Sequence, residues 1–178
     1  MSTFKFEAGA PFPTISKPTL DGATRDLSKP LDGKDWQMLV VYRGRHCPLC
    51  TRFLNELAGY KPRLDEIGID LVAVSGDSKE QLEEHISRLD VNFPLFYGLT
   101  LEEMKSLGLY ISHPRSEQET DHPFAEPGLY IINEKGTLQV VDISNNPFVR
   151  PALENLVSGL EWIRKNDYPI RGTFSYQD

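Results

Sequence analysis

The sequence predicts an α/β fold, a central mixed sheet flanked by helices with an N-terminal hairpin or arm. Three observations carry this. Two near-continuous apolar runs of strand length, Trp36 to Tyr42 and Ile69 to Gly76, suit strands buried on both faces of a sheet. Each is followed by apolar residues at helical spacing, so strand and helix alternate. Toward the C-terminus two apolar segments flank a turn at Asn133 to Gly136, which adds antiparallel strands to the alternating order.

The elements follow in order. Pro11, Pro13, Pro18, Asp21-Gly22 and Asp32-Gly33 punctuate short apolar pieces, which reads as the hairpin or extended arm. After the first buried strand, Pro48 opens a stripe of Leu49, Phe53, Leu57, Leu64 and Ile67. After the second, Ser78 and Gln81 make a capping box for a helix that turns Leu82, Ile86 and Leu89 inward. A short third strand lies in "NFPLFYG", and Thr100 with Glu103 caps a further helix that Gly108 closes. Residues 110 to 127 have no period and form a long loop, the kind of segment that is often functional. The hairpin comes next, then a helix striped by Leu153, Leu156, Val157, Leu160 and Ile163, then an irregular tail. A helix that starts directly after a central strand is what a thioredoxin-like fold supplies.

Composition narrows the function classes. The 178 residues, 39% hydrophobic and 25% charged, read as one globular domain spanning 1–178 rather than a disordered chain. A net charge of -7 argues against nucleic acid as a partner, because that binding rests on clustered Lys and Arg. No apolar run of about 18 residues is present to span a membrane, and the N-terminus lacks a signal-peptide run, so a soluble, cytoplasmic protein is expected. Within the acidic chain, Arg43, Arg45, His46 and Arg52 form a basic island free of acids. The island surrounds the only two cysteines, Cys47 and Cys50.

The pair can be a redox couple, half of a metal site, or two small buried residues. Placing Cys47 at a helix N-cap and Pro48 at the first helical position puts Cys50 in the first turn, within reach of Cys47. Unpaired N–H groups and the partial positive charge of the helix start favour a thiolate. With Arg43, Arg45 and His46 nearby, the Cys47 pKa is expected to fall into the range of roughly 3.5 to 7.5 found for activated cysteines. Cys47, at the more exposed first position, is then the nucleophile toward a peroxide or disulfide, and Cys50 resolves the product. A zinc site needs about two more ligands, and His46, His85, His113 and His122 supply no paired pattern. No metal or cofactor is expected.

With these elements in hand, the chain resembles the peroxiredoxin-like (AhpC/TSA) branch of the thioredoxin superfamily. The residues that carry the resemblance are "LVVYRGRHCPLCTRFLNEL", "PGLYIINEKGTL" and "NNPFVRPALENL", and it extends from about Pro11 to Ile163. It implies an antioxidant oxidoreductase with Cys47 at the peroxidatic position and Arg150 as an active-site arginine. It also implies a hydroperoxide or disulfide substrate, and thioredoxin, glutaredoxin or glutathione as reductant. Two positions depart from the family pattern: Gly44 stands where a Thr or Ser helps orient peroxide, and Val40 where a Pro is usual. Pro127 stands where thioredoxins and glutaredoxins have a cis-proline facing their CxxC, and "CPLC" is close to the glutaredoxin "CPYC". Peroxide chemistry, disulfide chemistry and a non-catalytic redox sensor or binding protein therefore all stay open. His113 and His122 flank a charged loop that is able to fold over the thiolate, and His85 lies beside the inward face of its helix. The last helix, with Trp162, Tyr168, Phe174 and Tyr176, offers either a homodimer surface or a cover for the chain's own sheet.

Overall fold

The structure is a computed structural model that describes residues 6–31 and 33–175. Expectations for Met1 to Lys5, Asp32 and Tyr176 lie outside the described residues. The first half of the chain contains β1 (Ser16–Pro18), β2 (Thr24–Asp26), β3 (Trp36–Val41), α1 (Pro48–Ala58), α2 (Lys61–Glu66), β4 (Ile69–Val74) and α3 (Lys79–His85). The second contains β5 (Leu95–Phe96), α4 (Leu101–Ser106), β6 (Ile111–Ser112), β7 (Phe124–Ala125), β8 (Gly128–Ile132), β9 (Leu138–Ile143) and α5 (Leu153–Asn166).

Five strands form the central sheet in the order β5-β4-β3-β8-β9. The β3–β4 and β4–β5 pairs are parallel, whereas β3–β8 and β8–β9 are antiparallel, so the sheet is mixed as expected. All six residues of β3 are buried, and so are all six of β4. Their side chains alternate between two cores. Trp36, Met38, Val40, Ile69 and Leu71 meet Leu54 and Leu57 of α1, Leu64 of α2, and Val157 and Leu160 of α5. Leu39, Val41, Val72 and Val74 face the opposite layer, built from Phe12, Ile15 and Leu27 of the N-terminal arm, Met104 of α4, and Leu107.

The arm contains the expected hairpin, with β1 antiparallel to β2. Two contacts tie it to the sheet. Arg25 pairs with Asp70 of β4, and the amide of Gln37 in β3 donates to the carbonyl of Leu27 at 3.0 Å. Inside an apolar layer the buried Gln37 amide needs such a partner. The expected turn between β8 and β9 is also present, with the Asn133 side chain accepting from the backbone N–H of Lys135 and of Thr137.

Three expectations change. The stripe after Pro48 is two helices, because Gly59 ends α1 and Pro62, which lacks an N–H, sits in the first turn of α2. The capping box of Ser78 and Gln81 forms, but α3 stops at His85 and the chain tightens into a 3₁₀ turn at Ile86–Arg88. That change of pitch turns Ile86 outward, where it is 44% exposed, and leaves His85 in the interior. The 110–127 loop is closed at its base by antiparallel pairing of β6 with β7. Trp162 packs edge-to-face on Tyr168 at 5.1 Å between ring centroids, yet it remains 53% exposed and Phe174 77% exposed. No helix among the described residues is long and apolar enough to cross a membrane.

The inward and outward positions around α3 give a direct test. Leu82→Ala is expected to cost about 2–5 kcal/mol, and Ile86→Ala no more than about 0.5 kcal/mol, read as the shift of the urea midpoint.

Candidate active site

Cys47 is the N-cap of α1, with extended backbone angles of φ −109° and ψ 100° and Pro48 beginning the helix. Its sulfur accepts the backbone N–H of Cys50 at 3.2 Å. Both cysteines are free thiols, and both are buried, Cys47 at 1% exposure and Cys50 at 0%. The expected order of exposure, Cys47 above Cys50, is kept only narrowly, since both are almost completely covered. What separates them is electrostatic. The Cys47 pKa is lowered to about 5 by a hydrogen bond from the Cys50 side chain, the Cys50 backbone N–H, a hydrogen bond from Arg43 and the charge of Arg150. These outweigh burial, which acts the other way. Burial pushes the Cys50 thiol well up, and its hydrogen bond to Cys47 adds to that shift.

Arg43 owes its position to the 110–127 loop. Its Nε donates to Glu126 at 3.0 Å, and its guanidinium lies 4.7 Å from the centre of the Phe124 ring. Glu126 is only 3% exposed and also accepts the hydroxyl of Ser112 at 3.2 Å. Burial raises its pKa, and the charge of Arg43 opposes that shift. Glu126 was not singled out in the sequence. A single acid in the apolar run "FAEPGLYII" is the signal that marks it.

Gly44 lies in the turn between β3 and α1 at φ +143°, and a Cβ there would meet Oδ1 of Asp77 at 2.5 Å. Asp77 is fully buried; it accepts the backbone N–H of Arg45 at 2.8 Å and meets Nε2 of His122 at 3.2 Å. Its carboxylate occupies the space a side chain at position 44 would need, and it holds His122 toward the protonated form. Asp77 is thus a second buried acid that sequence reasoning missed, since one Asp before a capping serine looks like any loop acid.

The basic island only partly converges. Arg43 favours the Cys47 thiolate, but the Arg45 side chain turns to Glu84 at 3.6 Å. His46 stacks on Phe124, with ring centroids 4.5 Å apart, and burial followed by the charge of Arg43 lowers its pKa, so it stays neutral. Arg52 and His113 are exposed. His85 contacts the Thr51 hydroxyl at 2.8 Å, and burial lowers its pKa to about 4.

Arg150 reaches the site from the segment between β9 and α5. Its Nη2 lies 2.7 Å from the sulfur of Cys50, and its Nη1 donates to the carbonyl of Pro147 at 2.5 Å. Pro127 carries the chain between β7 and β8 in an extended path, its carbonyl accepting from the Ser144 N–H at 3.1 Å. No peptide bond among the described residues is cis, so Pro127 is a trans proline. Pro127 instead lines a narrow cleft with Tyr42, Phe53, Arg150 and Pro151. Among the described residues, no group of three or more His, Cys, Asp and Glu side chains converges as a metal site.

The AhpC/TSA family profile matches residues 8–141. The chain belongs to the AhpC/TSA family. A probable 1-Cys peroxiredoxin of Syntrichia ruralis is 26% identical over 113 residues, which cover 61% of this chain and 50% of the relative. The chain spans about half the length of that curated relative. In structure it is similar to a cysteine-to-serine mutant of peroxiredoxin 6 of Arenicola marina, with a TM-score of 0.75 and 16% identity over 98% of this chain and 82% of that one. It is also similar to the reduced 2-Cys peroxiredoxin of Plasmodium vivax, with a TM-score of 0.69 and 14% identity over 98% of this chain and 92% of that one. At such identities the likeness shows the fold, which is thioredoxin-like.

Alkylation of Cys47 by iodoacetamide is expected to follow a titration with its midpoint near about 5, and Arg43→Met is expected to raise that midpoint. Gly44→Ala, with its Cβ against Asp77, is expected to cost about 1–3 kcal/mol in chemical denaturation.

Proposed function

We propose that the protein is a thiol peroxidase that reduces small hydroperoxides through Cys47 and Cys50. The observation that carries this reading is the Cys47 sulfur at the α1 N-cap, held as a thiolate at neutral pH by Cys50 and Arg43. The thiolate attacks the terminal oxygen of the hydroperoxide and breaks the O–O bond. The products are a Cys47 sulfenic acid and an alkoxide or hydroxide, which takes up a proton. The Cys50 thiolate then attacks the Cys47 sulfur and expels hydroxide, which leaves as water, and a disulfide forms. A dithiol such as thioredoxin or glutaredoxin, or two equivalents of glutathione, returns both cysteines to thiols and is itself oxidised to a disulfide. Burial of the sulfur supports a small substrate, because a protein disulfide needs a wider approach.

One observation favours a second reading, a thioredoxin-type disulfide reductase. Gly44 offers no hydroxyl to orient a peroxide, and Asp77 leaves no room for one. Both readings use Cys47 as nucleophile and differ in substrate.

Purified protein is expected to consume hydrogen peroxide or an organic hydroperoxide when supplied with a dithiol, and Cys47→Ser to abolish this. Reduction of insulin disulfides without peroxide turnover would select the reductase reading. Peroxide consumption unchanged in Cys47→Ser would overturn the peroxidase reading.

A further inference from the structure

The two cysteines do not share their arginines equally. Arg43 lies beside Cys47 and favours its thiolate. Arg150 contacts the other sulfur, with Nη2 2.7 Å from Sγ of Cys50. Its guanidinium is held from two sides, by the Pro147 carbonyl and by the Phe53 ring, whose centre lies 5.2 Å away. Phe53 stands three residues after Cys50 on α1, so the same helical face carries the sulfur and the ring that flanks its cation. The approach segment is itself bonded locally: the Ser144 hydroxyl donates to the Asn146 carbonyl at 3.0 Å, and the Phe148 N–H to the Asn146 side chain at 3.0 Å. Arg150 is thus delivered to Cys50 by a constrained turn.

Cys50 needs such help. Its sulfur is fully buried, and burial favours the neutral thiol, yet only a thiolate attacks the oxidised Cys47. Cys50 also has to leave as a thiolate when the disulfide is reopened. Cys47 already has the Cys50 backbone N–H and Arg43, and the charge of Arg150 ranks below both among the influences that favour its thiolate.

We infer that Arg150 is the catalytic residue of the Cys50 half-reaction: its guanidinium stabilises the Cys50 thiolate as nucleophile in disulfide closure and as leaving group in disulfide opening. The inference rests on the reading of Cys47 and Cys50 as a redox pair. In closure, the Cys50 sulfur forms the S–S bond with its electron pair, the S–O bond of the Cys47 sulfenic acid breaks, and hydroxide departs as water. Cys50 is oxidised and Cys47 is reduced from the sulfenic to the disulfide level. In opening, a thiolate of the dithiol reductant attacks Cys47, the S–S bond breaks, and its electron pair goes to Cys50 opposite Arg150.

Closure can be separated from peroxide chemistry with methyl methanethiosulfonate, a reagent small enough for a buried sulfur. The Cys47 thiolate displaces methanesulfinate to give a methyl disulfide, and Cys50 then displaces methanethiolate to form the internal disulfide. Both steps are read by intact mass after acid quench, in wild type, Arg150→Met, Arg150→Lys and Arg43→Met, with circular dichroism as the check of folding. Arg150→Met is expected to slow closure at least about tenfold and move its pH midpoint upward, while Cys47 modification changes by less than about threefold. Arg150→Lys is expected to recover part of the closure rate, and it decides the matter on the same traces if Arg150→Met does not fold. Arg43→Met is expected to show the reverse pattern. With peroxide, Arg150→Met is expected to accumulate a sulfenic acid that dimedone traps. Unchanged closure together with slowed Cys47 modification in the Arg150 variants would overturn the inference. Slowed closure in a protein whose Cys47 ignores peroxide would sustain it and remove the peroxidase reading instead.

Discussion

Everything in the site depends on the position of one sulfur at the start of one helix. The first turn of α1 has N–H groups without helical partners, and Cys47, as N-cap, receives one of them from Cys50. Burial works against a charge there, since the Cys47 side chain is almost completely covered. The opposing contributions win, and the pKa settles near about 5. Cys50, three residues on, is buried more deeply and does not sit at the helix end, and there burial wins. Two residues of identical chemistry, three apart, acquire opposite pKa shifts because of their place in a single turn.

A buried anion needs buried cations, and those need anchors of their own. Arg43 reaches Cys47 only because Glu126 holds it from the far side, and Glu126 stays in place through Ser112 and the paired base of the 110–127 loop. Truncating one member of such a buried pair costs more than the pair contributes, because the remaining charge is left without a partner. Asp77 is the second hidden acid. Its carboxylate grips the Arg45 N–H and His122 and fills the space beside Gly44, so the turn before Cys47 is shaped from below. The departure from the family pattern at Gly44 is thereby explained: at φ +143°, with a carboxylate where its side chain would go, position 44 suits only glycine. The exclusion that shapes the turn also leaves position 44 without a hydroxyl.

Much of the architecture was legible in the chain because local rules and the global fold agree. The apolar runs of β3 and β4, the capping boxes at Ser78 and Thr100, and the turn at Asn133 all form as their patterns indicate. So does the strand-to-helix junction at Cys47. The failures lie where helical period alone was followed. It ran the stripe of α1 through Pro62, and it carried the turn after α3 too far, so that Ile86 was assigned inward. A hydrophobic stripe records which residues prefer the interior but not where the backbone changes pitch.

Within the site, the sequence by itself determined the cysteine spacing, the N-cap position and the basic island, since these depend on neighbours along the chain. Only the tertiary structure decided which cation serves which sulfur. Arg43 goes to Cys47 and Arg150, a hundred positions away, to Cys50, while Arg45 and His46 turn elsewhere. Only the fold brings Asp77 and Glu126 beneath the turn and behind Arg43. The reason is physical. Hydrogen bonds and periodicity act over a few residues, whereas the energy of a buried charge depends on whatever surrounds it in space, and the packing of strands and loops sets that company.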